Sequence, residues 1–292
     1  MGMLVERDPV KTRQCVRELR RGGKSVGLVP TMGALHEGHL SLLRRCRAEN
    51  DVCALSIFVN PTQFGPQEDL GAYPRRLTED LAVAEELGVD VAFAPRAEDM
   101  YQAGFATWVT VEGLTEPLCG RSRPGHFRGV TTVVTKLFNV VEPDRAYFGE
   151  KDYQQLAVVR RMARDLNMAV EIRACPTVRE ADGLAMSSRN ARLTAEERAL
   201  APALYRALRT AAEAAAKGAT GREAEEIARR EVARTPRFEV QYVEAVDPET
   251  LEPKGDRGVP MVLAAAAYLG EVRLVDNVSV EASGNDAQDA EG

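Results

Sequence analysis

The sequence predicts an α/β protein with a doubly wound parallel sheet, followed by a smaller C-terminal α+β domain. Three observations support this prediction. Apolar runs alternate with amphipathic helical patterns up to Thr177. The runs are apolar on both faces, as strands of a buried parallel sheet must be. Beyond Thr177, two capped helices precede three strand-like segments separated by turns.

The first half contains strand and helix patterns in alternation. The segment 129–141 is the clearest helix, because apolar side chains recur along it at helical spacing on one face. The predicted strands are 26–29, 52–59, 91–94, 145–148 and 170–174, with a short extra strand at 108–111. The other predicted helices are 39–49, 78–87 and 153–166.

In the second half, two capping boxes mark helix starts. Thr194 with Glu197 opens one long Ala-rich helix that closes near Gly218, and Thr220 with Glu223 opens a helix to about residue 234. Strands are predicted at 238–246, 261–268 and 272–280. We therefore divide the chain into a domain of residues 1–177, a domain of residues 178–280, and a small, polar, acidic tail, 281–292, that is predicted to be disordered.

Composition and charge argue against some classes of function. The 292-residue chain has a formal charge of −6 and a pI of about 5.4, which argues against a main role on nucleic acid or anionic membrane. No apolar run approaches a membrane span. The five cysteines are scattered without a CxxC pair, which is typical of reduced thiols in a cytoplasmic protein.

Two of the chain's three histidines, His36 and His39, lie on a glycine-bearing turn from strand to helix. Free backbone N–H groups and the helix dipole favour a phosphate at such a turn. A zinc motif would place the histidines four apart on a helix, whereas here they are three apart across Gly38. The remaining alternative is a pair of solvated turn histidines. We predict that they stabilise charge on a phosphoryl group.

Two further segments follow predicted strands. Segment 60–65 presents Gln63, a neutral amide that suits hydroxyl and carboxylate groups. Segment 149–155 presents Lys151, placed like a phosphate-binding lysine, with Gln155 one helical turn later. Taken singly, the first is an ordinary loop and the second an ordinary helix start.

Two more segments are basic. Segment 121–129 carries three arginines and His126, and we interpret it as a mobile flap that brings cations to phosphates. Segment 186–190 has two hydroxyls before Arg189, which suit β- and γ-phosphates. A solvated loop and a linker are the ordinary alternatives. Together, these segments supply what a catalyst needs to cleave ATP between its α- and β-phosphates.

The chain closely resembles the pantothenate synthetase (pantoate–β-alanine ligase) family. The resemblance runs from about residue 20 to 280, through the segments PTMGALHEGHL, FVNPTQFG, RPGHFRGV, GEKDYQQ, PTVREADGLAMSSRN and VRLVDN. This family belongs to the Rossmann-like, adenylate-forming nucleotidyltransferase group. The HxGH signature of that group matches residues 36–39, and its KMSKS-like signature matches residues 186–189.

The resemblance implies a two-step reaction. ATP and pantoate give pantoyl adenylate and pyrophosphate, and the amine of β-alanine then attacks the acyl carbonyl to give pantothenate and AMP. It also implies Mg²⁺ bound with ATP, and a homodimer built through the first domain. We predict no protein ligand to a metal.

The resemblance also assigns residues. His36, His39 and Lys151 would be catalytic, with His39 as the residue usually labelled proton donor. Gln63 would contact pantoate and β-alanine, and Gln155 pantoate. The other substrate-binding residues would be Asn60, Arg123 and His126. The ATP site would comprise Met32, Gly33, Ala34, Leu35, His36, Glu37, Gly38, His39, Gly149, Glu150, Lys151, Asp152, Val178, Met186, Ser187, Ser188 and Arg189.

Some alternatives stay open. Glu79 and Asp80 are either acids near magnesium or simply N-terminal acids of a helix, and the latter is favoured. Another adenylyl-forming enzyme, such as an aminoacyl-tRNA synthetase, is one rival; the acidic pI and the absence of a basic RNA-binding module argue against it. A non-catalytic nucleotide-binding protein is the other, and it predicts that phosphate-contacting residues are eroded.

Overall fold

The larger sheet has six parallel strands in the residues that the computed structural model describes, 2–66 and 68–282. They are β1 (Leu4–Glu6), β2 (Val26–Thr31), β3 (Val52–Ile57), β4 (Val91–Phe93), β5 (Arg145–Gly149) and β6 (Glu171–Cys175). Their order is β1-β4-β3-β2-β5-β6, so the chain reverses its direction of travel at β2. Ligands bind at such a switch point, beyond the carboxyl ends of the strands. The predicted doubly wound parallel sheet is confirmed.

The helices of this part are α1 (Pro9–Leu19), α2 (Glu37–Glu49), α3 (Leu77–Glu86), α4 (Ala97–Met100), α5 (Cys119–Ser122), α6 (His126–Val141) and α7 (Tyr153–Asp165). Helix α6 buries the apolar face that its periodicity predicted. It begins at His126, three residues earlier than predicted, because Gly125 adopts the left-handed conformation that reverses the chain before it.

The amino-terminal elements were not predicted. Asp8 accepts hydrogen bonds from the N–H groups of Val10 and Lys11, and Pro9 occupies the first helical position, so α1 has a standard start. Strand β1 is a short edge strand that pairs with β4. Charged residues dominate this segment and conceal its periodicity.

The predicted strand at 108–111 is wrong. Val109 donates its N–H to Thr132 Oγ1 at 3.0 Å, and its carbonyl accepts from Thr131 Oγ1 at 2.6 Å. Two threonines of α6 therefore satisfy the backbone groups that a strand would pair with a neighbour. The segment crosses the surface of α6 as irregular chain.

The smaller sheet is antiparallel, in the order β7-β8-β9. Its elements are α8 (Ala195–Leu200), α9 (Ala203–Ala216), α10 (Gly221–Ala233), β7 (Phe238–Val246), β8 (Met261–Leu269) and β9 (Val272–Val280). Both predicted capping boxes are present, at Thr194 and Thr220. The prediction of one continuous Ala-rich helix is wrong. The helix is divided at Pro202, which has no N–H to continue the hydrogen-bond ladder.

Strand β8 packs on both of its faces. Leu263 and Ala265 lie in the core formed with α9 and α10, whereas Ala264 and Ala266 lie in the core of the larger sheet. The predicted α+β architecture is confirmed, and the small sheet is one layer shared by two cores. The division at 177/178 stays a prediction. Most of the predicted disordered tail lies outside the described residues.

The described part of the chain contains no helix with the length and apolar character to cross a membrane. All five cysteines are free thiols, and Cys46, Cys53 and Cys175 are buried.

Leu263→Ala tests whether β8 is a true core strand. The Leu263 side chain is fully buried, so we expect the free energy of unfolding to fall by about 2–5 kcal/mol, from lost burial and the cavity that remains. Denaturant titration measures this. The control is Leu166→Ala at a half-exposed site, for which a change within about 0.5 kcal/mol is expected. Equal effects of the two substitutions would contradict the packing.

Candidate active site

A cleft opens at the carboxyl ends of β2, β3 and β5. It consists of two adjoining chambers. The histidine chamber, about 240 Å³, is lined by His36, His39, Gln63 and Ser188 among others. The second chamber, about 470 Å³, lies between the two sheets and is lined by Tyr242, Arg273 and Asn277 among others. Residues common to both chambers are Arg123, His126, Lys151, Asp152, Gln155, Ser187 and Arg189.

The turn after β2 is wound around a buried carboxylate. Asp80 accepts hydrogen bonds from the N–H groups of Ala34 and Leu35 at 2.9 and 2.8 Å. Gly33 has a φ of +80°, and a Cβ on it would lie 2.9 Å from Asp80 Oδ2. Only glycine satisfies both the conformation and the space. Asp80 therefore shapes the histidine turn from a position that sequence reasoning assigned to a helix start.

Glu79 and Asp80 both lie in the first turn of α3, as the favoured alternative expected. Both oxygens of Asp80 already accept backbone N–H groups, and Glu79 is largely exposed beside Arg76. Among residues 2–66 and 68–282, no three or more His, Cys, Asp or Glu side chains are grouped to hold a metal ion. A divalent ion held by the protein alone does not fit this donor set.

The two histidines of the turn lie ring to ring, with centroids 4.1 Å apart. The His36 N–H donates to His39 Nδ1 at 3.4 Å, so the proton of neutral His39 is on Nε2. His36 Nδ1 is buried without a hydrogen-bond partner in the described residues. A Cβ on Gly38 would lie 2.9 Å from His36 Cε1, so glycine is needed for the ring to rest there. The turn thus holds both rings together in the lining of the histidine chamber.

All three histidines favour the neutral form. Burial, reinforced by the charge of Lys151, lowers the pKa of His36 to about 4. Burial, with His36 and Lys151 nearby, lowers the pKa of His39 to about 3. Burial and the Arg123 guanidinium lower the pKa of His126 to about 4. At neutral pH these rings are therefore uncharged hydrogen-bond donors and acceptors.

The amide of Gln63 is partly reserved. Its Oε1 accepts from Asn60 Nδ2 at 3.1 Å, while its Nε2 meets Met32 Sδ at 3.1 Å. Sulfur is a weak acceptor, so Nε2 can donate to a ligand oxygen instead. Asn60 is almost fully buried and also donates to the Gly129 carbonyl at 3.1 Å, which fixes the loop to the start of α6.

Arg123 and His126, the predicted flap residues, are held in place. His126 Nδ1 donates to the Gln63 carbonyl at 2.8 Å, and Arg123 Nη1 donates to His126 Nε2 at 3.0 Å. Burial disfavours the charged form of Arg123, but two 2.6 Å hydrogen bonds to Glu68 raise the pKa of the Arg123 guanidinium. The Arg123 guanidinium, which was predicted to bind phosphates, is therefore paired with the Glu68 carboxylate.

Ser188 and Arg189, in segment 186–190, also have hydrogen-bond partners within the protein. Ser188 Oγ lies 3.2 Å from the Tyr73 hydroxyl, and Arg189 makes two 3.0 Å bonds to Asp69. Arg192 also donates to Asp69, at 2.6 Å. Lys151 Nζ lies 3.3 Å from Asp152 Oδ1. Cations thus gather on one side of the cleft, each with a carboxylate beside it.

Most predicted site residues line the histidine chamber, and five do not. Glu37 instead pairs with Arg44 on the outer side of α2. Those in the lining are Met32, His36, Gly38, His39, Asn60, Gln63, Arg123, His126, Gly149, Lys151, Asp152, Gln155, Val178, Met186, Ser187, Ser188 and Arg189. Those outside it are Gly33, Ala34, Leu35, Glu37 and Glu150.

Sequence reasoning missed several polar residues of the cleft. Glu68, Asp69, Tyr73 and Arg192 contact predicted site residues or their partners. Asp80 is the buried carboxylate described above. Each contact joins chain segments that are far apart in sequence, so no local motif marks it. The AYP run around Tyr73 has no recognisable spacing to a histidine or lysine.

The protonation of the histidines is directly measurable. We expect the Cε1–H resonances of all three to stay constant between pH 5.5 and 8, because burial and nearby positive charge hold their pKa values at about 4, 3 and 4. The unfolded chain takes up these protons below about pH 6.5. The histidines therefore remove stability as the pH falls from 6.5 towards 4 and not above 6.5. A resonance of the folded protein with a midpoint near 6.5 would contradict this arrangement.

Comparison with known proteins identifies the family. The family model described as pantoate-beta-alanine ligase matches residues 5–279. Pantothenate synthetase of Moorella thermoacetica is 56% identical over 272 residues, which cover 92% of this chain and 95% of that protein. The enzyme of Thermotoga neapolitana is 57% identical over 265 residues, or 89% and 93% of the two chains.

Solved structures are similar over the whole described fold. The pantothenate synthetase of Thermus thermophilus has a TM-score of 0.91 at 50% identity, covering 96% of this chain and 100% of that one. A Francisella tularensis pantoate-beta-alanine ligase, complexed with beta-gamma ATP and beta-alanine, has a TM-score of 0.79 at 33% identity, covering 95% and 97%. The sequence, the fold and the cleft together show that this chain belongs to the pantoate–β-alanine ligase family.

Proposed function

We infer that the chain catalyses the ATP-dependent condensation of pantoate with β-alanine through a pantoyl-adenylate intermediate. The observation that carries this inference is the convergence of His36, His39, Gln63 and Lys151 on one chamber. Side chains that can donate hydrogen bonds to phosphate thus face the same space as a neutral amide. A reaction that joins a nucleotide to a carboxylic acid requires both. Family membership supplies the substrate class.

In the first step, a pantoate carboxylate oxygen attacks the α-phosphorus of ATP. The new O–P bond forms as the bond to the bridging oxygen of the β-phosphate breaks, and pyrophosphate leaves with that electron pair. We propose that Gln63 and Gln155 hold pantoate and that Lys151, Ser187, Ser188 and Arg189 hold the phosphates. Orientation supplies much of the rate, because no side-chain nucleophile is needed.

In the second step, the amine of β-alanine attacks the acyl carbonyl. The C–O bond to AMP breaks, AMP leaves, and the ammonium formed on the new amide loses its proton. Gln63 would contact β-alanine as well as pantoate. Closure of the cleft by the two sheets would keep water from the anhydride.

We propose that His36 and His39 act as hydrogen-bond donors to the phosphoryl oxygens rather than as acids. Their low pKa values leave them neutral, and the His39 tautomer presents Nε2–H. A neutral imidazole in a buried site donates to developing negative charge without itself changing charge. The label of proton donor for His39 is the alternative.

Phosphate binding would also require the carboxylates to move or to share their partners. Arg123 is bound to Glu68, and Arg189 to Asp69. We propose that the triphosphate displaces these carboxylates from the arginines. The remaining predicted nucleotide residues, including Met32, Val178 and Met186, would surround the base and ribose.

Three properties are proposed from the family resemblance. Mg²⁺ would arrive with ATP, coordinated by phosphate oxygens and water, and would offset phosphate charge. The protein would be a homodimer, for which light scattering should give twice the 31.9 kDa chain mass. The cytoplasm is the expected compartment, since the cysteines are free thiols. A monomeric mass, or undiminished activity in EDTA, would remove the corresponding proposal.

Transfer of oxygen tests the reaction itself. With pantoate labelled by ¹⁸O in its carboxylate, we expect one labelled oxygen in each AMP, because the attacking oxygen stays on phosphorus. Mass spectrometry of AMP measures this. Pyrophosphate release should depend on pantoate and should not occur with amino acids in its place. Release of ADP, or unlabelled AMP, would exclude the acyl-adenylate route.

His39→Ala should slow adenylate formation by about 10²–10³-fold, the usual effect of losing one donor to a developing oxyanion. Rapid-quench measurement of pyrophosphate gives this rate. The matched control is Arg44→Ala on the same helix, whose side chain pairs with Glu37 outside the chamber; a change below about twofold is expected. Unchanged turnover in His39→Ala would favour a non-catalytic role for the turn.

A further inference from the structure

The VRLVDN segment of β9 lines the chamber between the two sheets, and it also contacts two segments that carry predicted nucleotide-binding residues. Asn277 Nδ2 donates to the carbonyls of Glu150 and Lys151, at 2.9 Å each. These carbonyls belong to the short 3₁₀ turn, Glu150–Asp152, between β5 and α7. The small sheet therefore holds the backbone that carries Lys151.

The backbone that carries the Asn277 side chain is itself fixed. Asp276 Oδ1 accepts the Asn277 N–H at 2.8 Å, and both residues are buried. Arg179 makes a two-bond ion pair with Asp276, at 2.7 and 2.9 Å, and its guanidinium lies 3.6 Å from the Tyr205 ring centroid. Such planar pairs define orientation as well as energy. Asp276 and Asn277 are therefore both restrained by burial and by these bonds.

Arg179 also links a second ligand segment to β9. It follows Val178 directly and lies in the hairpin in which the Met186 N–H donates to the Val178 carbonyl at 3.0 Å. Met186 leads into Ser187 and Ser188, which line the histidine chamber. The Asp276–Asn277 pair thus joins the hairpin before the serines to the turn of Lys151.

We propose that Asn277 is a positioning residue that sets Lys151 against the phosphates of ATP. Three physical points support this. A three-residue 3₁₀ turn has poor internal hydrogen-bond geometry and needs external partners. One amide offers two donors to two neighbouring carbonyls, which fixes the rotation of that turn. The contact spans two sheets, so the position of Lys151 is set from the domain that covers the cleft.

This inference rests on the proposed function. Variants at Lys151 distinguish failure of the inference from failure of the proposed function. Asn277→Ala should slow adenylate formation by about 10–100-fold, by analogy with the loss of a partner that orients a metal ligand. In a Lys151→Ala background the same substitution should add less than about twofold, because there is no lysine left to position. Attack of β-alanine on preformed pantoyl adenylate should be unchanged, since pyrophosphate has already left.

Two companion variants test the hydrogen bonds. Asn277→Ser keeps one donor and should lie between wild type and Asn277→Ala. Asn277→Asp keeps the size but turns an acceptor towards two carbonyls, and it should be at least as slow as Asn277→Ala. Leu263→Ala is the matched control for a loosened small sheet: assayed well below its melting temperature, it should not reproduce the selective loss of the first step.

The outcomes are distinct. A multiplicative loss in the Lys151→Ala background, equal loss in both half-reactions, or wild-type adenylation by Asn277→Asp would overturn the positioning role while leaving the proposed function intact. Undiminished adenylation by Lys151→Ala would instead remove Lys151 from the site, and the inference with it. The positioning role is supported if Asn277→Ala slows adenylation only, and if it adds little further loss in the Lys151→Ala background.

Discussion

The parallel arrangement of β3, β2 and β5 is the constraint on which the rest of the cleft depends. Parallel neighbours end at the same edge of a sheet, so the loops that follow them must meet. His36, Gln63 and Lys151 each follow one of these strands. Their convergence follows from the strand order, which places the carboxyl ends of these three strands side by side.

Electrostatics within the cleft is dominated by paired cations and neutral histidines. Arg123, Arg189 and Arg192 are each paired with a carboxylate, so burial of their charge is compensated before any ligand binds. The histidines avoid this cost by remaining uncharged. We propose that a polyanionic ligand competes with Glu68 and Asp69 for these arginines and meets donors already oriented in His36 and His39.

The small sheet contributes more than a cover. Because β8 is apolar on both faces, it belongs to two cores at once, and the two parts of the chain cannot separate without exposing Ala264 and Ala266. The polar counterpart of this packing is the contact of Asn277 with the Lys151 turn. Apolar burial provides the adhesion between the sheets, while these directed hydrogen bonds provide the orientation.

The local patterns determined most element types, the capping boxes and the turn that presents the histidines, because periodicity and caps depend on residues within a few positions of each other. They also gave the motifs that indicate the family. Three outcomes required the tertiary structure: α6 satisfies the backbone at Val109, Asp80 shapes the turn after Gly33, and Asn277 reaches Lys151. Each joins groups more than about twenty residues apart along the chain, and such pairs are chosen by packing, which no local pattern records.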